Sequence, residues 1–292
     1  MAKPAAQQFW RVPTPQRELF FGFQRSHPYR TVKVGGGTQR YIAGGEGERV
    51  LVFLHGALAG PEMWFYPILQ LESRYRIIAP YFPPDRLGAS DALRFLQAIY
   101  RQEKIERAVL IGMSYGGGIA QMLAEGHPEM VEMLVLSHSS VAGRPAARGS
   151  IATFRSRLNL IPLFLLKAYL RRRLQRVPSS DWNRFYRAYF RSQREQLTKA
   201  QFTAFLDSSL RFVDETGHLS DQQRHWTGET VLLGTVGDSD AFAYFGQLEA
   251  LYPQARTHVF RLPGGHHMSF LFPDAYTAVL AAQLAGGPSP QP

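Results

Sequence analysis

Among the residues able to do chemistry, Ser114 stands out, set between glycines in Gly112-Met113-Ser114-Tyr115-Gly116. A serine hydroxyl is a poor nucleophile at neutral pH and needs a base to take its proton. Such a base is usually a histidine whose tautomer is held by a carboxylate. The chain has nine histidines. His266 and His267 follow Gly264-Gly265, which let a loop bend back over the end of the preceding strand. His266 is the expected base; His267, the alternative, reads as part of a polar loop. The acid is expected after one of two strands. Leu136 is followed by Ser137-His138-Ser139-Ser140-Val141-Ala142-Gly143, with no carboxylate, and Val236 by Gly237-Asp238-Ser239-Asp240. Asp240 is therefore the expected orienting acid, with Asp238 as its competitor. His55, in His55-Gly56, is expected to pin its loop through a side-chain hydrogen bond. The amide of Ala57, or alternatively Leu58, would then join that of Tyr115 in holding an oxyanion. His138 reads as structural or pocket-lining, and the remaining histidines have no supporting context.

These residues need a scaffold. Ala108-Val109-Leu110-Ile111 before the pentapeptide is a short apolar run suited to a buried strand, and residues 117–124 read as a helix. A serine at so sharp a strand-to-helix turn takes strained backbone angles. A side chain at 112 or 116 would strike the neighbouring strand or helix. The reward is a hydroxyl clear of the backbone, beside the positive end of a helix. Further strands are expected at 30–34, 38–43, 50–54, 75–79, 133–136, 231–236 and 257–262. Helices are expected from Pro61 to about Leu71 and over 91–101, 241–252 and 273–285. Strands alternating with helices imply a mainly parallel sheet covered on both faces, with ligands gathering at the carboxyl ends of its strands.

The alternation breaks between Arg144 and His225, where helices are expected over 163–176, 181–195 and 199–213 and no strand pattern occurs. This divides the chain into an N-terminal arm (1–27), a core (28–143 and 226–287), an inserted helical cap (144–225) and a short tail (288–292). The cap holds 16 Lys and Arg against 6 Asp and Glu, which accounts for the whole formal charge of +10. There are no cysteines, so disulfides and thiolate metal sites are excluded. Residues 1–10 lack an apolar signal core, and no apolar run approaches the ~20 residues of a membrane span. A cytoplasmic protein is the expectation.

Ser114, the late aspartate and the final Gly-Gly-His, with the His-Gly loop, follow the Ser–Asp–His order of one fold, and they resemble the α/β-hydrolase fold family. The resemblance implies an eight-stranded, mostly parallel sheet with a helical cap after the sixth strand. It also implies a histidine seven residues before the proline of the last helix, which matches His266 and Pro273, and a Gly-x-x-Asp acid, which matches Gly237 and Asp240. Epoxide hydrolases and haloalkane dehalogenases of the family carry aspartate at the elbow, and Ser114 speaks against both. Residues 116–121, 160–167 and 251–256 are similar to maspardin-like proteins, which are regarded as binding proteins lacking an intact acid and histidine. This chain departs from them by keeping both.

The expected function is a serine hydrolase acting on a small-molecule ester or related acyl bond, without metal or organic cofactor. A non-catalytic binding or adaptor protein is the alternative. Thioester hydrolysis, acyl transfer, carbon–carbon bond hydrolysis and perhydrolysis use the same triad. In the cap, Leu163, Leu166, Leu170 and Leu174 share one helical face amid Lys167, Arg171, Arg172, Arg173 and Arg176. Arg184, Arg187, Arg191 and Arg194 interleave with Phe185, Tyr186, Tyr189 and Phe190. This pattern fits aromatics lining an apolar pocket above Ser114, under a basic face that is either simply solvated or turned toward an anionic membrane surface. Nucleic acid is the less favoured partner.

Overall fold

Two short apolar runs, β3 (Val50–Leu54) and β5 (Ala108–Met113), lie side by side in the middle of an eight-stranded sheet, and every residue of both is buried. The computed structural model describes residues 8–175, 180–221, 226–238 and 241–287. The other strands are β1 (Arg30–Val34), β2 (Gly37–Gly44), β4 (Arg76–Pro80), β6 (Val131–Ser137), β7 (Glu229–Thr235) and β8 (Arg256–Phe260). Their order is β1-β2-β4-β3-β5-β6-β7-β8, with β2 antiparallel to both its neighbours and all other pairs parallel. The hairpin turns through Gly35 and Gly36, both at positive φ.

Helices cover both faces because strands buried on both sides need two layers. One apolar cluster joins alternate strand residues, such as Leu51, Phe53, Val109 and Ile111, to α1 (Thr14–Ser26), α2 (Phe65–Leu71) and the closing α12 (Pro273–Leu284). The other joins Val52, Leu54, Leu110 and Leu136 to α3 (Ala89–Glu103), α4 (Tyr115–Gly126) and α10 (Phe245–Leu251). Within α3, Ala92, Phe95, Leu96 and Ile99 are buried, the spacing of one helical face. The arm is tied down by aromatics. Phe9 stacks on Phe20, and Phe20 meets Phe65 and Phe185 with ring centroids 5.3 and 5.1 Å away.

Between β6 and β7 lies the helical insertion: α5 (Pro145–Arg157), α6 (Leu163–Gln175), α7 (Asn183–Glu195), α8 (Lys199–Thr216) and the short α9 (His218–Asp221). Helix α5 precedes the cap helices expected from 163 onward, and its Pro-Ala-Ala-Arg-Gly-Ser start carries no apolar stripe that would mark it in the sequence. Its arginines fix it to α8 instead, through Arg148–Asp214 and Arg155–Asp207 ion pairs. Helix α8 opens with a capping box in which Thr198 and Gln201 exchange hydrogen bonds. The aromatics of α7 take a different place from the one expected. Phe185 and Tyr189 seal the arm and α2, while Tyr186 and Phe190 rest on His267 and Phe270, in the order of ring centroids 4.8 to 5.8 Å. They are packing residues of the core. Among the described residues, no helix is long and apolar enough to cross a membrane.

Candidate active site

Ser114 caps α4 with φ +52° and ψ −116°, a strained conformation for a non-glycine residue. The surroundings enforce it. A Cβ on Gly116 would run into the carbonyls of Leu54 and His55, and one on Gly112 into Gly116 and Gly117 at the helix start. The Ser114 amide donates to Ser137 O at 3.1 Å, and its carbonyl accepts from the Ser139 hydroxyl at 3.0 Å and from the Gly117 amide at 3.0 Å. The half-buried hydroxyl therefore stands at the carboxyl ends of β5 and β6. Tyr115, the first residue of α4, has an N–H with no acceptor inside the helix.

The loop after β3 runs beside it: a Cβ on Gly56 would stand 3.6 Å from that of Ser114. His55 is fully buried and holds this loop. Its Nδ1 faces Gly56 O at 2.8 Å, and its Nε2 accepts the Phe82 amide at 2.9 Å. An acceptor at Nε2 fixes the proton on Nδ1, so the ring is neutral. Burial lowers its pKa to about 4, with the Gly56 carbonyl acting weakly in the other direction. Leu58 sits at φ +56° and Ala57 is exposed. Farther along, the cap enters the arrangement: the Tyr189 hydroxyl accepts the Gly60 amide at 3.1 Å and contacts Gly60 O at 3.3 Å. Tyr189 thereby steadies the loop that carries Ala57 and Leu58, a role that helical periodicity could not reveal.

His266 follows β8 on a short turn, Gly265–His267, after Gly265 at φ +50°. Its Nδ1 donates to Asp238 Oδ2 at 3.0 Å. The second oxygen of Asp238 accepts the Ala241 amide at 3.1 Å, and the Asp238 amide donates to Thr235 O at 3.1 Å. Burial would raise the Asp238 pKa, but the hydrogen bond and charge of His266 outweigh it, and the carboxyl lies below its usual range. The carboxylate on the histidine is thus Asp238, the competitor in the sequence reading. The preferred Asp240 lies outside the described residues. Asp238 directly follows Gly237, whose φ of +85° turns the chain after β7, and its side chain meets His266. With its proton held on Nδ1, His266 leaves Nε2 free to accept. Among the described residues, Ser114 Oγ and His266 Nε2 are not hydrogen-bonded to each other. Such contacts are often long in a free enzyme and tighten in the complex. The Ser269 hydroxyl, on α11 (Met268–Leu271), meets Met113 Sδ at 3.9 Å and ties the histidine loop to the serine turn.

Two further histidines surround this pair. His138, at φ +46°, is buried between β6 and β7, its ring 6.3 Å from that of His266. Tyr276 OH donates to Ser137 Oγ at 2.9 Å, which directs the Ser137 proton to His138 Nδ1, also 2.9 Å away. His138 Nε2–H then donates to Thr235 Oγ1 at 2.7 Å. Burial foremost, then the nearby His266, depresses its pKa to about 3. The expectation of a structural role for His138 agrees with these contacts. His267 packs under Tyr186 and Phe190 with Nδ1 unpartnered among the described residues, and burial lowers its pKa to about 3. It faces the cap, not Asp238. Among the described residues no group of three or more His, Cys, Asp or Glu side chains could hold a metal ion.

Comparisons with known proteins show the family and the fold. The alpha/beta hydrolase family profile matches residues 51–279, more than half of the chain. A 2-hydroxymuconate semialdehyde hydrolase of Pseudomonas sp. (strain CF600) is 35% identical over 115 residues, covering 34% of this chain and 39% of that protein. Epoxide hydrolase 4 of Mus musculus is 28% identical over 148 residues, covering 45% and 40%. The chain thus matches about two fifths of the length of these curated relatives. An enol-lactonase from Burkholderia xenovorans LB400 superposes with a TM-score of 0.71 at 16% identity, covering 88% of this chain and 100% of that one, a likeness of fold. With a serine turn, a carboxylate-held histidine and an eight-stranded sheet that place it there independently, this chain belongs to the alpha/beta hydrolase family.

Proposed function

We propose that the protein is a serine hydrolase of carboxylic esters or related acyl compounds, with Ser114 as nucleophile, His266 as base and Asp238 as the orienting carboxylate. The observation that carries this reading is the 3.0 Å contact of His266 Nδ1 with Asp238, at the sheet end that also bears Ser114. Ser114 Oγ forms a bond to the acyl carbon while His266 Nε2 takes the hydroxyl proton. The resulting tetrahedral oxyanion is held by the amides of Tyr115 and of Ala57 or Leu58, donors that each supply roughly 3 kcal/mol in comparable sites. The ester C–O bond then breaks, and His266 gives its proton to the leaving alcohol. Water attacks the acyl-serine, passing a proton to His266. The acid leaves as that proton returns to Ser114 Oγ.

Substrate size follows from the loop after β3. A cavity of about 100 Å³ beside it is lined by Leu58, Ala59, Phe82, Leu87, Leu197 and Phe205 among others. Gln193, Gln196 and Gln201 share its wall with these apolar side chains, and its small volume suits a short acyl chain. The relatives whose names read epoxide hydrolase and semialdehyde hydrolase widen the field of reactions. The serine at position 114 favours acyl chemistry over epoxide opening, as the resemblance of its turn implies. A series of p-nitrophenyl esters from acetate to laurate tests the reading. Turnover should be greatest for the short esters and absent in Ser114→Ala. Turnover that survives Ser114→Ala removes the serine mechanism. A chain that hydrolyses none of the series, yet retains a partner through the cap, would instead be a binding protein on this scaffold.

A further inference from the structure

Helix α6 turns large apolar side chains outward. Leu160 just before it is 83% exposed, and Phe164, Leu165 and Tyr169 within it are 69%, 50% and 56% exposed. Its inner side is satisfied by Leu166, which joins Leu158, Phe202 and Leu206 in a small buried cluster of the cap. The outward residues are therefore surplus to the packing of the helix. They lie within one ten-residue stretch, whereas only three other large apolar residues among those described are exposed. An apolar surface grouped in this way on a folded chain marks a contact site.

The charge around it names the partner. No Asp or Glu occurs between Met133 and Ser180, a stretch that carries nine Lys and Arg. Arg157, Arg171 and Arg172 are exposed and have no carboxylate partner among the described residues. By contrast Arg148 and Arg155, on the side of α5 facing α8, are paired with aspartates. The cap pairs the arginines between α5 and α8 and leaves those beside the apolar strip without a carboxylate among the described residues. Leucine, phenylalanine and tyrosine on a helix flanked by arginine are the elements of a helix that lies in the plane of a lipid interface. The apolar side chains enter the acyl boundary, and the cations meet anionic headgroups. Nucleic acid would call for aromatic faces spaced for base stacking, and Leu160 and Leu165 offer none.

We propose that α6, with Leu160, Phe164, Leu165 and Tyr169 as the inserting residues and Arg157, Arg171 and Arg172 as the headgroup contacts, docks the protein reversibly on anionic lipid surfaces. None of these residues belongs to the proposed triad or oxyanion site, so the inference does not rest on the chemistry proposed there.

The test is sedimentation with sucrose-loaded vesicles of phosphatidylcholine alone and of phosphatidylcholine with phosphatidylglycerol. The full chain should pellet with the anionic vesicles at low salt, far less with the neutral ones, and progressively less as salt screens the arginines. Arg171→Gln with Arg172→Gln should weaken partitioning by roughly 25-fold, about fivefold for each charge. Phe164→Asp with Leu165→Asp should abolish it, at unchanged thermal midpoint because both positions are exposed. Ser114→Ala should bind as the unaltered chain does. A chain that stays in the supernatant with anionic vesicles at low salt overturns the proposal, as does binding indifferent to Phe164→Asp with Leu165→Asp. Retention on a single-stranded oligonucleotide without vesicle binding would give the surface to nucleic acid. A dimer broken by Phe164→Asp, again without vesicle binding, would give it to a second copy. Either result also overturns the lipid assignment.

Discussion

His138 and His266 follow β6 and β8, the strands on either side of β7, with their rings 6.3 Å apart, yet they are equipped for opposite tasks. His138 is buried, and both its nitrogens are occupied by hydroxyls, Ser137 and Thr235. It has no carboxylate partner among the described residues, and burial keeps it neutral. His266 has one nitrogen on the carboxylate of Asp238 and the other uncommitted. A cation forming on His266 is stabilised by that carboxylate, whereas one forming on His138 would be stranded in a low-dielectric site. What separates the proposed base from a structural residue here is the partner and not the residue type.

Mutations sharpen that contrast. His266→Gln should lower kcat on p-nitrophenyl butyrate by on the order of 10⁴ while leaving the thermal midpoint nearly unchanged. Asp238→Asn should cost on the order of 10³ to 10⁴ through loss of the oriented tautomer, and Asp240→Asn less than ~10-fold. Steady-state kinetics on the two variants decides between the carboxylates. Equal losses would mean that the acid role is shared, and the reverse order would return it to Asp240. His138→Ala should show the opposite profile. It should change kcat less than ~10-fold and lower stability by ~2 kcal/mol in urea, because Ser137 and Thr235 lose their partner. A loss comparable to that of His266→Gln would break the comparison.

The smallest effect is graded with pH. His55, His138 and His267 have pKa values lowered to about 4, 3 and 3, against 6.5 for a free histidine. Below pH 6.5 the unfolded chain takes up protons that these buried rings refuse, so stability rises with pH across this window. Their contribution is complete above the unfolded value and is lost as pH falls from about 6.5 toward 3. Asp238, held below its usual range, adds a loss at lower pH still. Thermal midpoints should fall steadily from pH 7 to pH 4, and the fall should be shallower in His138→Ala. Midpoints flat across that interval would contradict the burial of three neutral histidines.

Much of this was legible in the sequence where the constraint is local. Gly112 and Gly116 announce the turn because no larger residue fits there, and His266 is marked by two preceding glycines. The sheet followed from strands that are apolar on both faces. Asp238 was legible as a candidate acid, but the spacing pattern that favours Asp240 does not show that Asp238, directly after Gly237 at positive φ, meets His266. The hydroxyl cage of His138 was invisible, since Thr235 and Tyr276 lie far along the chain. So was the hold of Tyr189 on Gly60, which joins the cap to the loop beside Ser114. In α6 the periodic Leu163, Leu166 and Leu170 pack into the cap, but the pattern gave no warning that Phe164, Leu165 and Tyr169 point outward. Burial of that kind is decided by what the neighbouring helices already fill.

Ser114 is proposed here as a nucleophile activated by the His266–Asp238 pair. Intact-mass spectrometry after brief exposure to a fluorophosphonate at pH 7.5 tests it most directly. One adduct is expected, mapped to Ser114, absent in Ser114→Ala, strongly slowed in His266→Gln and Asp238→Asn, and formed at nearly the full rate in His138→Ala. An unmodified chain, or an adduct that forms as fast without His266, would contradict it.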